Sequence, residues 1–288
     1  MLFVMNWRSR LLHAVTVVGL LALTACAEFG ATRSNAQSYA NSVASASSTA
    51  PASAEVRQAL APTGVLRVGV YLGSPTSWVR LPQTGESAGI AFELGQTLAK
   101  QLGVPVRVVE YPRVAEVIEG LKKGEVDMTF TNASAARAQV VDFTPALIQL
   151  ELGVLVPANS RIQKFDDVDQ SGVRVGVSQG SSSQAALGQR LKNTQVTPVA
   201  SLDVVQKMLR DGQLDAFATN KGILFELAEK LNGFQVLSDR WGFENLAIAV
   251  PKGREAGMPY LQNFAQQMKQ SGALQQMAQR AGLRGMAN

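Results

Sequence analysis

The chemistry available to this chain gathers in two short runs. The first, Asp127-Met-Thr-Phe-Thr131-Asn132-Ala-Ser134-Ala-Ala-Arg137, begins as a strand and ends in small polar groups. Val126, Met128 and Phe130 alternate with Asp127, Thr129 and Thr131, the period of a half-buried strand. Thr131, Asn132 and Ser134 can donate or accept hydrogen bonds, and Arg137 can grip a carboxylate with two parallel bonds. A plainer reading makes Ser134 the cap of a short helix and Arg137 a solvated charge. The second run, Ser178-Gln-Gly-Ser181-Ser182-Ser183, follows a strand signal and opens a helix signal. Its backbone N–H groups and the helix dipole can receive an anion. A serine N-cap alone would also account for it.

Other chemistries are excluded by count. The sequence holds one histidine, His13, and one cysteine, Cys26. Residues 1–25 read as an export signal: Arg8 and Arg10 precede an apolar stretch, Leu11 to Leu23, too short for an ordinary membrane span. It ends in Leu23-Thr24-Ala25-Cys26, which resembles the lipobox of bacterial lipoproteins, where the cysteine thiol receives the lipid. Signal cleavage nearby, with Cys26 incidental, is the alternative. On the lipoprotein reading the mature chain has no histidine and its only cysteine is acylated, which excludes histidine- or thiolate-based catalysis, internal disulfides and nearly all zinc or copper sites. No metal and no cofactor are expected.

Loss of residues 1–25 leaves 25 basic residues against 22 acids, a net charge near +3. Without a dense basic patch or many aromatics, a nucleic-acid partner is not expected. Residues 26–58 are rich in Ala, Ser and Asn and read as a flexible tether. About 230 residues follow, enough for two lobes with separate cores.

The elements that must position the two runs alternate strand and helix from Val65 onward. Val65–Tyr71 and Val104–Val109 read as strands; Ala91, Leu94, Leu98 and Leu102, then Val114, Val117, Ile118 and Leu121, mark helix faces. A loop carrying Trp78 lies between. Leu150–Val156 and Asn245–Val250 are further strands, and helices are expected around Leu261–Met268 and Leu274–Ala281. The pattern repeats internally. Arg67-Val-Gly-Val70 recurs as Arg174-Val-Gly-Val177, and Leu121-Lys-Lys-Gly-Glu-Val-Asp127 as Leu209-Arg-Asp-Gly-Gln-Leu-Asp215. Two such matches in the same order argue for two lobes of one build, each a mostly parallel sheet flanked by helices.

The segment Gly124-Glu-Val-Asp127, with Arg137 six residues before Phe143 of Val141-Asp-Phe-Thr144, resembles the extracellular solute-binding proteins of polar amino-acid importers, over residues 60 to 283. The resemblance implies a type II periplasmic-binding-protein fold. Lobe 1 would comprise 59–155 and 250–288, lobe 2 156–249, with a two-strand hinge near Val156-Pro157 and Val250-Pro251. It implies a monomeric periplasmic protein that is not an enzyme, held at the membrane through Cys26, delivering a small ligand to an ABC permease in the inner membrane. The ligand would meet Thr131, Asn132, Ser134 and Arg137 from one lobe, Ser178, Ser182, Ser183 and Asn220 from the other, with Trp78 as the covering aromatic. A periplasmic cyclohexadienyl-type dehydratase on the same fold is the alternative, with Lys221 and Glu226 as its candidate groups. One departure bears on the ligand. The family's usual ammonium-binding aspartate falls at Asn220, and Lys221 is beside it. The expectation is a carboxylate without an amine; if an amine is bound, another acid such as Glu93 must hold it.

Overall fold

The computed structural model describes residues 52–287. The signal and Cys26 lie outside them. The tether, expected to reach residue 58, ends earlier: Ala54–Leu60 is a helix (α1), capped where the Ser53 hydroxyl accepts from the Val56 N–H, and Ala52 and Leu60 are buried. The Ala and Ser content of this stretch hid a helix cap, Ser53, and a buried residue, Ala52.

The first lobe begins with β1 (Leu66–Val70), passes a two-stranded hairpin, β2 (Val79–Arg80) and β3 (Ser87–Ala88), and continues through α2 (Ile90–Leu102), β4 (Val106–Glu110), α3 (Val114–Lys122), β5 (Thr129–Asn132), α4 (Ala135–Ala138) and β6 (Val141–Phe143). β1 is parallel to β4 and bridges, also in parallel, to Met128 just before β5. The chain then enters the second lobe along β7 (Ile148–Pro157). There follow β8 (Arg174–Ser178), α5 (Ser182–Arg190), β9 (Gln195–Val199), α6 (Leu202–Arg210), β10 (Ala216–Asn220), α7 (Lys221–Lys230) and β11 (Phe234–Val236). β9, β8 and β10 are parallel neighbours; β7 pairs antiparallel with β10 and β11. β12 (Gly242–Pro251) returns to lobe 1, where it pairs with β5 and β6, and α8 (Met258–Gln270) and α9 (Ala273–Arg280) complete that lobe's core.

The repeat has a physical explanation. In each lobe the arginine of R-V-G-V clamps the aspartate of the second motif through its own backbone N–H, Nε and Nη2. The distances are 3.0, 2.9 and 2.8 Å for Arg67–Asp127 and 2.8, 3.0 and 2.8 Å for Arg174–Asp215. The glycine between the valines clears room for the next layer. A Cβ on Gly69 would come within 2.8 Å of Val117, and one on Gly176 within 2.6 Å of Leu214. Gly124 and Gly212 stop the helices at φ 68° and 63°, where a side chain is disfavoured.

Val156-Pro157 and Val250-Pro251, the expected hinge, are the last residues of β7 and β12. β7 and β12 pair from Ile148↔Leu246 to Leu152↔Gly242, and this ladder is the crossing between lobes. Val156-Pro157 sits beyond it, against Phe234 and Gln235, and Val250-Pro251 is deep in lobe 1 against β6. A strand's apolar run marks where it is buried, whereas the crossing is set by where its pairing partner changes.

Candidate functional site

In open α/β sheets the polar groups at the carboxyl ends of strands face a common crevice, and here both lobes deliver them to one cleft. β1 ends at Tyr71, β5 at Thr131 and Asn132, β8 at Ser178, and β10 at Thr219 and Asn220; all line the same cavity, with Arg137, Arg113, Ser182 and Glu244. The lobes meet across it. Arg113 Nη1 donates to the Ala200 carbonyl (3.3 Å), and Gly180 lies so close to Ala115 that a Cβ there would stand 2.6 Å away.

Arg137 is presented on a single turn of helix. The Ser134 hydroxyl accepts from the Arg137 backbone N–H (3.4 Å), so Ser134 does cap the helix. The guanidinium nevertheless turns inward, where Nη1 donates to Thr131 Oγ1 (2.8 Å) and to the Asn132 carbonyl (3.3 Å). Burial pulls the Arg137 pKa below its ordinary value, and the nearby charges of Glu244 and Tyr71 oppose the shift. Burial likewise pushes the Tyr71 phenol up; its hydroxyl donates to Ser74 Oγ (3.3 Å).

The second lobe contributes two capped helices. Ser181 accepts from the Gln184 N–H (3.1 Å) as the cap of α5, while Gly180 N–H donates to Gln184 Oε1 (2.6 Å). Ser182, one residue on, turns to the cleft and donates to Glu244 Oε1 (2.8 Å). Ser183 turns the other way: it is 1% exposed, its hydroxyl has no partner among the described residues, and it is not among the cavity-lining residues. Successive helical residues point about 100° apart, and with Ser182 on the cleft side Ser183 is turned into the packed side of the helix. Asn220 Oδ1 accepts from the Ile223 N–H (3.1 Å) to cap α7, and its Nδ2 donates to Glu244 Oε2 (3.1 Å).

Several expectations change. Trp78 is not at the cavity; it stacks on Phe92 (6.4 Å between centroids) beneath Arg80, and Tyr71 is the one aromatic residue lining the cavity. Ser134 borders a second opening of the cleft, toward Trp241 and Phe243, which shares Asn132, Arg137 and Ser182 with the first. Lys221 does not oppose a bound cation: it is buried against Glu151 Oε2 and the Ser238 carbonyl, both at 2.8 Å. Glu93 pairs with Arg280 instead of facing the cleft.

Glu244, Tyr71 and Arg113 also line the cavity and were not among the expected site residues. A signal existed for Glu244. Phe243 and Asn245 are exposed while Glu244 and Leu246 are buried, so strand alternation sets this acid on the inward face. Among the described residues no group of three or more His, Cys, Asp or Glu is placed to hold a metal, and no helix is long and apolar enough to cross a membrane.

Residues 66–283 match the bacterial extracellular solute-binding proteins, family 3. The chain belongs to this family. The ABC transporter glutamine-binding protein GlnH of Bacillus subtilis (strain 168) is 24% identical over 211 residues, 71% of this chain and 76% of its own. Two solved structures share the fold. The receptor for L-cysteine of Neisseria gonorrhoeae aligns with TM-score 0.69 and 24% identity, covering 80% of this chain and 93% of that one. The ancestral amino-acid-binding protein AncCDT-1, a precursor of cyclohexadienyl dehydratase, aligns with TM-score 0.66 and 24% identity over 76% and 96%. The solute-binding protein thus has the two-lobed type II periplasmic-binding architecture, and its family is extracytoplasmic.

Proposed function

We propose that this solute-binding protein is the capture subunit of an ABC importer, closing two lobes on a small polar solute that carries a carboxylate. The observation that carries the reading is Arg137, a half-buried guanidinium with Thr131 as its aligner, facing a cavity lined from both lobes. A guanidinium in a closing cleft is suited to a planar, bidentate anion. Asn132, Ser178, Ser182 and Asn220 supply the neutral polar contacts, and hinge motion of the lobes about the β7–β12 ladder supplies entry and release.

Mass spectrometry of what co-purifies with the protein from its own host tests the reading. A small carboxylate that binds the emptied protein again by calorimetry is the expected result. A protein that binds no small solute under any of these conditions would overturn it.

The dehydratase alternative has less support. Lys221 is committed to Glu151, and Glu226 to Lys230 at 2.7 Å on α7; neither lines the cavity. Incubation with prephenate or arogenate is expected to give no product. The capture subunit is further proposed to be a monomer that is tethered through an acylated Cys26 and serves a permease in the inner membrane. Cys26→Ala is then expected in the soluble fraction; retention on salt-washed membranes would place the anchor elsewhere.

A further inference from the structure

Beyond α9 the chain reaches from lobe 1 to lobe 2 once more. Gly282, at φ 67°, turns it back, and the Leu283 N–H closes the helix end on the Ala278 carbonyl (2.8 Å). Leu283 stays in the core of lobe 1. The next residues run antiparallel to β7. The Glu151 N–H donates to the Gly285 carbonyl (2.8 Å), the Ala287 N–H donates to the Gln149 carbonyl (2.9 Å), and Leu150 bridges Met286. On their other edge the same three β7 residues pair with Phe243, Glu244 and Asn245 of β12. At residues 149–151 the ladder between the lobes is therefore three strands wide.

The side chains of this segment grip lobe 2. Arg284 Nη2 meets Glu229 Oε1 of α7 at 2.6 Å, and its guanidinium lies 4.5 Å from the centre of the Phe225 ring, one turn earlier on the same helix. The backbone packs closely as well. A Cβ on Gly285 would stand 2.5 Å from Lys221 Cβ, and one on Gly222 would stand 2.6 Å from Leu283 Cδ1. Phe225 and Glu229 lie about 6 and 12 Å along α7 from Lys221. Lys221 follows the cavity-lining Asn220 and is tied to Glu151 of β7 at 2.8 Å. One segment thus joins the core of lobe 1, the crossing ladder and α7 of lobe 2, in an arrangement where the lobes already meet across the cleft.

We infer that residues 283–287 form a strap that holds the lobes in this closed arrangement, so that opening the cleft strips Arg284 from α7. The contacts with Phe225 and Glu229 lie away from the crossing ladder and are the ones opening breaks. The backbone pairs on β7 lie at the ladder itself and persist. The strap thereby sets how much of the empty protein rests closed. It acts on the lobe motion of the capture reading above and rests on it, whatever solute is held.

Pulsed electron resonance between two spin labels reads the distance across the cleft. The labels sit at Glu119→Cys on α3 and Lys207→Cys on α6, both exposed positions, in the full chain with Cys26→Ala, emptied by dialysis from denaturant. R284A, R284E, the charge exchange E229R/R284E and G285V are compared in this background, with the melting temperature as a check on folding. The parent protein is expected to show a near and a far distance. An exposed ion pair and one cation–π contact together are expected to be worth about 3- to 30-fold, so R284A should lower the near-to-far ratio by that factor. R284E should lower it at least as far, and E229R/R284E should regain part of the loss. G285V, whose side chain has no room against Lys221, should shift the ratio the same way. A ratio that no variant changes, or one that R284A raises, overturns the strap and leaves lobe motion standing. A single distance in every variant, unmoved by the solute fraction that co-purifies with the protein, overturns the strap together with the lobe motion of the capture reading.

Discussion

The internal repeat provides a controlled experiment on burial. Asp127→Ala and Asp215→Ala remove the same partner from two copies of one clamp. The Asp127 carboxylate has no exposed surface and accepts from Arg67 and, at 3.3 Å, from Arg254, whose side chains are 18% and 13% exposed. The Asp215 side chain is 36% exposed and that of Arg174 43%. Removing Asp127 strands two largely buried guanidinium groups, which costs about 3–5 kcal/mol. Removing Asp215 leaves Arg174 within reach of water, at a cost of about 1 kcal/mol. For a chain of this size each kcal/mol moves Tm by about 2–4 °C. The expected losses are therefore about 6–20 °C for Asp127→Ala and about 2–4 °C for Asp215→Ala. Circular dichroism on heating, with urea midpoints as a second measure, reads both. Equal losses, or a larger one at Asp215, would refute the argument that burial and not the motif sets the strength of the clamp.

Arg137→Met is expected to weaken binding of the co-purifying solute about 30-fold to several thousand-fold, with the fold intact, as read by calorimetry. Gly180→Ala places a side chain at φ 72° and 2.6 Å from Ala115 across the cleft. It should hinder closure and reduce affinity while the ligand-free Tm falls by only a few degrees; small-angle scattering should show a more open ligand-bound form. Hydrogen bonds to Arg174 hold the Asp215 carboxyl below the usual carboxylate range. Because the folded value is depressed, its stabilisation is present above about pH 4 and is lost as pH falls through the folded value. Asp215→Asn should thus lower stability at neutral pH, change it little at pH values below the folded one, and so flatten the acid limb of the stability curve.

Much of this fold was legible because its signals are local. The i, i+3, i+4 rows at Ala91–Leu102 and Val114–Leu121 became α2 and α3, and Gly103, at φ 68°, stops α2. The repeated R-V-G-V marked two lobes because each of its letters has a packing reason. Of the site, Thr131, Asn132, Arg137, Ser178, Ser182 and Asn220 come to one cavity, since strand ends and helix starts are legible in one dimension. Trp78 and Ser183 do not, because side-chain direction within a loop or a first helical turn depends on what packs beneath. Glu244 was missed because it faces Ser182 and Asn220 only after β12 has crossed between lobes, at sequence separations of 62 and 24. A change of pairing partner along a strand, as in β7, likewise leaves no local mark.

The return of β12 to lobe 1 has a consequence for the order in which the chain can assemble. Lobe 2 is contiguous, and its two clusters use residues from Val154 to Trp241, with Tyr71 the one outlier packed against them. Lobe 1 is not. Its core joins Leu66, Val68 and Ile90 to Leu261, Phe264, Met277 and Leu283, contacts that span about two hundred residues. Contacts that distant are slow to form, and these are absent until the last helices exist. A chain threaded outward from its N-terminus would carry an unfinished first lobe through nearly its whole passage. Its exposed apolar strands would stay loose enough to move through a narrow channel and would close only once the tail had followed.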